Sequence, residues 1–192
     1  MAVLILGLIA FLGVHSVRIF ADDWRTAQIA RIGANRWKGL YTLASIAGLA
    51  LMIWGLGMAR ADSAVLWTPP AWTRGVAALL TAVAFVLLAA AYVPATRIKA
   101  AIGHPMLAAV KVWALAHLMA NGRLVDLVFF GAFLAWAVLD YKSARARDRA
   151  AGVRYAAGPP VRDVIAVAVG LAAWAAIAVF VHPRLMGVSF IG

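Results

Sequence analysis

Two residue types are missing from the 192 residues of this chain: cysteine and glutamate. Without cysteine there is no disulfide, no thiolate haem ligand, no Cys-based zinc or iron–sulfur centre and no thiol nucleophile. Carboxylates are scarce. The seven acids are Asp22, Asp23, Asp62, Asp126, Asp140, Asp148 and Asp163, each at or near the end of an apolar run. A buried carboxylate proton relay and a di-iron carboxylate centre are therefore expected to lack their parts. Charge of either sign is thin, at 13% of residues, against roughly 25% in a soluble domain.

What is present is apolar. Hydrophobic residues make up 66% of the chain, and mean hydropathy is +0.93. That excess is too large for the interior of a domain this small, so it must face lipid. A membrane-crossing helix needs roughly 20 apolar residues. Six stretches approach this, at about 2–20, 40–58, 75–93, 105–119, 124–139 and 164–181. The fourth and fifth are short, and Ala120-Asn121-Gly122-Arg123 between them reads as a tight turn. The first is expected to remain as a helix rather than act as a cleaved signal, because its first cation is Arg18 and no A-x-A site follows. The expectation is an all-α integral membrane six-helix bundle, one domain over 1–192. No internal repeat is visible, which leaves an inverted-repeat transporter without support.

The few charges are lopsided: 18 Lys and Arg against 7 Asp, a net +11. On a soluble chain this would point to nucleic acid. Here the cations lie between apolar runs, where they orient the protein, and no nucleic-acid partner is expected. The first, third and fifth connections carry Arg25, Arg31, Arg36 and Lys38; Arg97 and Lys99; and Lys142, Arg145, Arg147, Arg149, Arg154 and Arg162. The second, the fourth and the tail carry only Arg60, Arg74, Arg123 and Arg184. By the positive-inside rule the odd connections are cytoplasmic and both termini periplasmic. The most basic piece, Tyr141 to Arg162, either lies on anionic headgroups of membrane lipid or docks a partner. Gly158-Pro159-Pro160 ends any helix ahead of the last span.

Four histidines, His15, His104, His117 and His182, lie within or at the end of apolar spans. An ionisable residue there is costly and is a candidate functional group, although a neutral imidazole also serves simply to bond a carbonyl. His15 sits between Gly13 and Ser16, whose size admits a neighbouring helix or a flat ligand. Arg18 follows one turn on, placed to pair with a carboxylate or to snorkel. The fourth span is denser. His104-Pro105 reads as a helix start. His117 and Asn121, four apart, share a face, so Asn121 is placed to orient the His117 ring. Lys111 shares the His104 face. His104 and His117 lie about 140° apart around a helix and ~20 Å apart along it, too far to hold one metal. His182-Pro183 reads as an interface stop. Without Cys or Glu, zinc and non-haem iron sites are poorly supplied. Two imidazoles facing across a bundle suit a haem, whose propionates would meet cations such as Arg18 and Lys111.

The pattern His104-Pro105, then Trp113-Ala114-Leu115-Ala116-His117, then Asn121-Gly122, resembles the signature of the NnrU family, and the His15-Ser16 pair fits it. The resemblance extends over essentially the whole chain. It implies a multi-pass protein of the bacterial inner membrane, associated with nitrite and nitric oxide reduction. The same core pattern is similar to that of the 15-cis-zeta-carotene isomerases, which hold b-type haem between two histidines and turn a cis polyene to trans. Carried over, that resemblance makes His15 and His117 haem ligands and His104 an activity residue. It implies either a haem-dependent redox or isomerase function, with an apolar polyene as substrate, or an accessory role to a nitrite or nitric oxide reductase complex. The chain departs at Ala114, where the isomerases have Cys, and at Gly103, where the family usually has Arg. Depth raises a conflict. At 1.5 Å per residue His15 is ~8 Å from the basic end of its span and His117 ~20 Å, whereas two axial nitrogens of one iron sit ~4 Å apart. Unless the first helix extends past Asp23, or the fourth span starts deeper or breaks, His15 with His104 is the better pair by depth; His15 with His117 stands first because the resemblance supports it.

Overall fold

The computed structural model describes residues 1–186, and every regular element among them is a helix. The order is α1 (Ala2–Phe20), α2 (Asp22–Ile32), α3 (Ala34–Ala61), α4 (Trp72–Tyr92), α5 (Arg97–Ile102), α6 (Pro105–Ala120), α7 (Leu124–Ala150), α8 (Val161–Ala176) and α9 (His182–Met186). A π-helical turn, Ile177–Val181, joins the last two.

Five stretches are long and apolar enough to cross a membrane: Ala2–Phe20, Ala34–Ala61, Trp72–Tyr92, Leu124–Ala150 and Val161–Arg184. The fourth stretch is the short one. Gly103, at φ +82°, ends α5, Pro105 begins α6, and α6 stops after 16 residues. At 1.5 Å per residue that is ~24 Å, short of a hydrocarbon core of ~30 Å. Five long apolar helices and this one short apolar helix thus stand where the six stretches were expected, and of the two expected to be short only the fourth is so.

Two other boundaries move. α7 runs well past Leu139, because the residues that end its hydropathy are good helix formers that pair within the helix. Arg145 lies 3.6 Å from Asp148, and Arg147 donates to Ser143 at 2.6 Å. His182 does not stop the last helix as the following proline implies. Its backbone is helical, at φ −60° and ψ −44°. The π turn just before it widens the ring of hydrogen bonds that Pro183 would otherwise clash with, and Arg184 closes onto the carbonyl of Phe180.

Small residues set the packing. α1 runs antiparallel to α3, with Gly7 against the backbone of Met52, Gly48 against Phe11 and Gly55 against Leu4. Side chains at those glycines would hold the helices apart. Leu4, Leu8, Met52, Ala59 and Val125 form the core between α1, α3 and α7. Beyond α7 the contacts pass to α6, α4 and α8 in turn. Gly170 of α8 abuts Val86 of α4, and Trp174 Nε1 donates to Thr81 Oγ1 at 3.0 Å.

The two ends of the bundle differ. At the end holding Met1, the 62–71 loop pins the turn between α6 and α7. Leu66 donates to the carbonyl of Gly122 at 2.8 Å, and Leu124 to that of Ala64 at 2.9 Å. Asp126 is only 2% exposed there, 3.8 Å from Arg60. At the other end the three basic connections meet. Ile98 donates to Asp163 Oδ1 at 3.1 Å, Gly158 to the carbonyl of Ala95 at 2.8 Å, and Arg147 to that of Arg18 at 3.4 Å.

Candidate functional site

At the basic end residues of α1 to α7 line a half-open cavity of about 880 Å³. His15 and His104 both line it. His117 does not.

The His15 ring is held on three sides. Its Nδ1 lies 2.7 Å from the carbonyl oxygen of Phe11, one turn back. A carbonyl only accepts, so Nδ1 carries the hydrogen and Nε2 keeps its lone pair. Phe11 stacks on the ring at 4.2 Å, and Tyr41 and Trp136 meet it edge-on at 5.2 and 6.0 Å. A fixed tautomer with a bare Nε2 is how a metal-binding imidazole is usually prepared.

His104 caps α6 and is held differently. Its Nε2 is 2.8 Å from Asp148 Oδ2, and Tyr155 donates to the same oxygen at 3.1 Å. The hydrogen here is on Nε2, and Nδ1 is bare. Arg145 lies 3.6 Å from that oxygen and packs its guanidinium against Gly103, on the side where a Cβ would project. An arginine is thus delivered beside the His-Pro step from α7 rather than from position 103. Burial, and then the bond to Asp148, raise the Tyr155 phenol above its ordinary value.

His117 lies on the far side of an aromatic wall. Its Nδ1 donates to the carbonyl of Trp113 at 2.8 Å, and its ring stacks on Phe130 at 4.5 Å. From there Trp113 contacts Phe133, Phe133 contacts Phe11, and Phe11 reaches His15. Rings fill the path that a haem shared by His15 and His117 would need. Asn121 donates to the backbone carbonyl of His117 at 2.8 Å. It closes the helix and leaves the ring to Trp113. Lys111 is also off the cavity, with its Nζ 3.6 Å from the centroid of Tyr141. That tyrosine also meets the His104 ring edge-on, at 6.3 Å, so Lys111 and His104 both approach it. Gly13 and Ser16 line a second, apolar groove of about 660 Å³ between α1 and α7, and Trp136 stands between the two spaces.

The cavity's charge is one-sided. Arg18, Arg25, Lys38, Lys99 and Arg147 line it against one carboxylate, Asp140. Arg147 lies 3.8 Å from Asp140, and Arg25 is 3.3 Å from Asp22 outside the lining. Such a rim attracts an anion. Among the described residues no cluster of three or more His, Cys, Asp or Glu is placed to hold a bare metal ion.

Sequence reasoning missed Asp148, Tyr155, Tyr41 and Trp136. Only the spacing within α7, which puts Asp148 one turn past Arg145, gave a local signal. The 104-to-148 pairing is long-range, and nothing local in the sequence announces it.

The long apolar helices and the ligand-sized space among them define an α-helical membrane protein. The family model described as NnrU protein matches residues 3–190. The chain belongs to the NnrU family. No curated protein and no solved structure matches it.

Proposed function

We propose that the cavity at the basic end binds b-type haem, with His15 Nε2 as its protein ligand, and that the protein works in redox or nitric-oxide-linked chemistry at the bacterial inner membrane. The observation that carries this is the juxtaposition in one space of a bare imidazole nitrogen, aromatic walls and a cationic rim. The volume falls within the roughly 300–1,000 Å³ of cofactor pockets. Trp37, Tyr41 and Trp136 offer flat apolar surface, and Arg18, Arg25 and Arg147 suit propionate carboxylates. A bound haem would supply one-electron or small-ligand chemistry, tuned by its axial ligand and the polarity opposite it. His104 is a polar group of the same lining, and His117 serves packing. With the basic end on the cytoplasmic side, as the cation distribution directs, the cofactor enters from the cytoplasm.

The cation-rich lining favours this chemistry over isomerisation of an apolar polyene. Ala114, where the isomerases have Cys, is fully buried in α6 and does not line the cavity. The test is the absorption spectrum of the detergent-purified protein, alone and after addition of haem. A Soret band that His15→Ala removes supports the proposal. Failure to take up haem by folded protein ends it.

A further inference from the structure

Asp148, Tyr155 and Arg145 are not used by haem ligation, yet they form the most closely bonded polar group at the cavity. Asp148 Oδ2 accepts from His104 Nε2 at 2.8 Å and from Tyr155 at 3.1 Å, and the two donors are themselves 3.4 Å apart. Both His104 and Tyr155 line the cavity, whereas Asp148 stands behind them. An ionised carboxylate only accepts, so it fixes the His104 hydrogen on Nε2 and leaves Nδ1 as the free basic atom. Nδ1 has no protein partner among the described residues. The same oxygen is positioned to stabilise the imidazolium that forms when Nδ1 takes a proton.

We propose that His104 is the acid–base group of this cavity, that Asp148 is its positioning residue, and that Tyr155 tunes it by competing for the same carboxylate oxygen. The ligand it serves carries an acidic oxygen that becomes anionic when it gives up its proton and is then held by the cationic rim. A proton leaves the ligand oxygen for His104 Nδ1. The imidazolium pairs with Asp148, which stays ionised. With its side chain 25% exposed, His104 then returns the proton to water, and no further reactant is needed. The charged and titratable groups that face this ring are Asp148 and Arg145 from α7, Tyr141 from α7, Tyr155 from the following loop and, beyond Tyr141, Lys111 of α6.

This rests on the cavity being the ligand site, but its test needs no haem. The full chain, labelled with ¹⁵N-histidine and held in detergent, is titrated by NMR, with the His104 signals assigned by their loss in His104→Gln. The expected neutral form carries its proton on Nε2. Asp148→Asn removes the carboxylate and lowers the proton affinity of His104 about tenfold or more. Tyr155→Phe frees the oxygen for His104 and raises that affinity. Asp148→Glu restores part of what Asp148→Asn loses. A merely structural cluster would loosen in both variants and move both in the same direction. Shifts of the same sign, no shift, or a neutral form protonated on Nδ1 each overturn the proposal. Should Asp148→Asn fail to fold, the sign of the Tyr155→Phe shift and the wild-type tautomer still decide it. Haem added afterwards separates the two readings. Absence of uptake removes only the haem assignment, whereas haem binding that depends on His104 as a ligand overturns its acid–base role.

Discussion

The imidazole of His117 lies stacked on Phe130, their centroids 4.5 Å apart and their planes 25° from parallel. A ring held this way, with its Nδ1 bonded to Trp113, is a packing element of the α6–α7 interface. His117→Ala is predicted to destabilise the protein by about 2 kcal/mol or more through the space it leaves. Thermal unfolding in detergent measures this. His117→Phe should recover most of the loss, since the stacking survives.

The glycine of the turn between α6 and α7 is under a tighter constraint. A Cβ at Gly122 would run into the carbonyl oxygen of Trp67, in the 62–71 loop whose Leu66 amide donates to the Gly122 carbonyl. Gly122→Ala is predicted to cost about 1–3 kcal/mol. Gly13 is the contrast, because nothing lies within 4 Å of its would-be Cβ. Gly13→Ala is predicted to be neutral or to stabilise α1 by about 0.5–1 kcal/mol. The two unfolding temperatures, compared with wild type, check both.

That turn was legible in the sequence, because Asn and Gly end helices for local reasons. So were the positions of the apolar helices, since lipid demands an unbroken apolar run whatever its neighbours do. The length of α7 was not. Lys142 and Arg145 interrupt hydropathy but not helix propensity, so the helix outlasts its apolar part. The site was half legible. Histidines inside apolar spans are conspicuous, but the resemblance put His15 with His117 first, and depth offered His15 with His104 only as the fallback. Asn121 showed its helix-ending role but not its partner: spacing put it on the His117 face, and the backbone took the bond. Asp148 was hidden among charges of a connection that reads as a solvated basic segment. Only folding shows that Arg145 and Arg147 turn inward while Lys142 and Arg149 stay exposed.

Lys111 provides a check on which cations serve the cavity. Its ammonium sits over the Tyr141 ring, a contact of about 0.5–2 kcal/mol. Lys111→Met is predicted to lower stability by that order and to leave haem uptake unchanged. Arg147→Met, at a lining position, is predicted to weaken haem retention. Equilibrium haem titration of the two variants distinguishes them.

Tyr155 gives the pH dependence. Burial, followed by the bond to Asp148, raises its phenol above the ordinary value of 10.0. The folded state thus holds this proton more tightly than the unfolded chain. The associated stability is fully present below pH 10 and is lost as pH rises through the higher folded value. Tyr155→Phe is predicted to flatten the alkaline fall of the unfolding temperature. The phenolate absorbance lost in that variant should titrate above that of an exposed tyrosine.

The most direct test of the central claim, that His15 anchors haem in the basic-end cavity, is the Soret absorption of haem-reconstituted wild type, His15→Ala and His117→Ala, each verified as folded. The account predicts that the band is lost in His15→Ala and kept in His117→Ala. A band that survives in His15→Ala, or that disappears in folded His117→Ala, contradicts it.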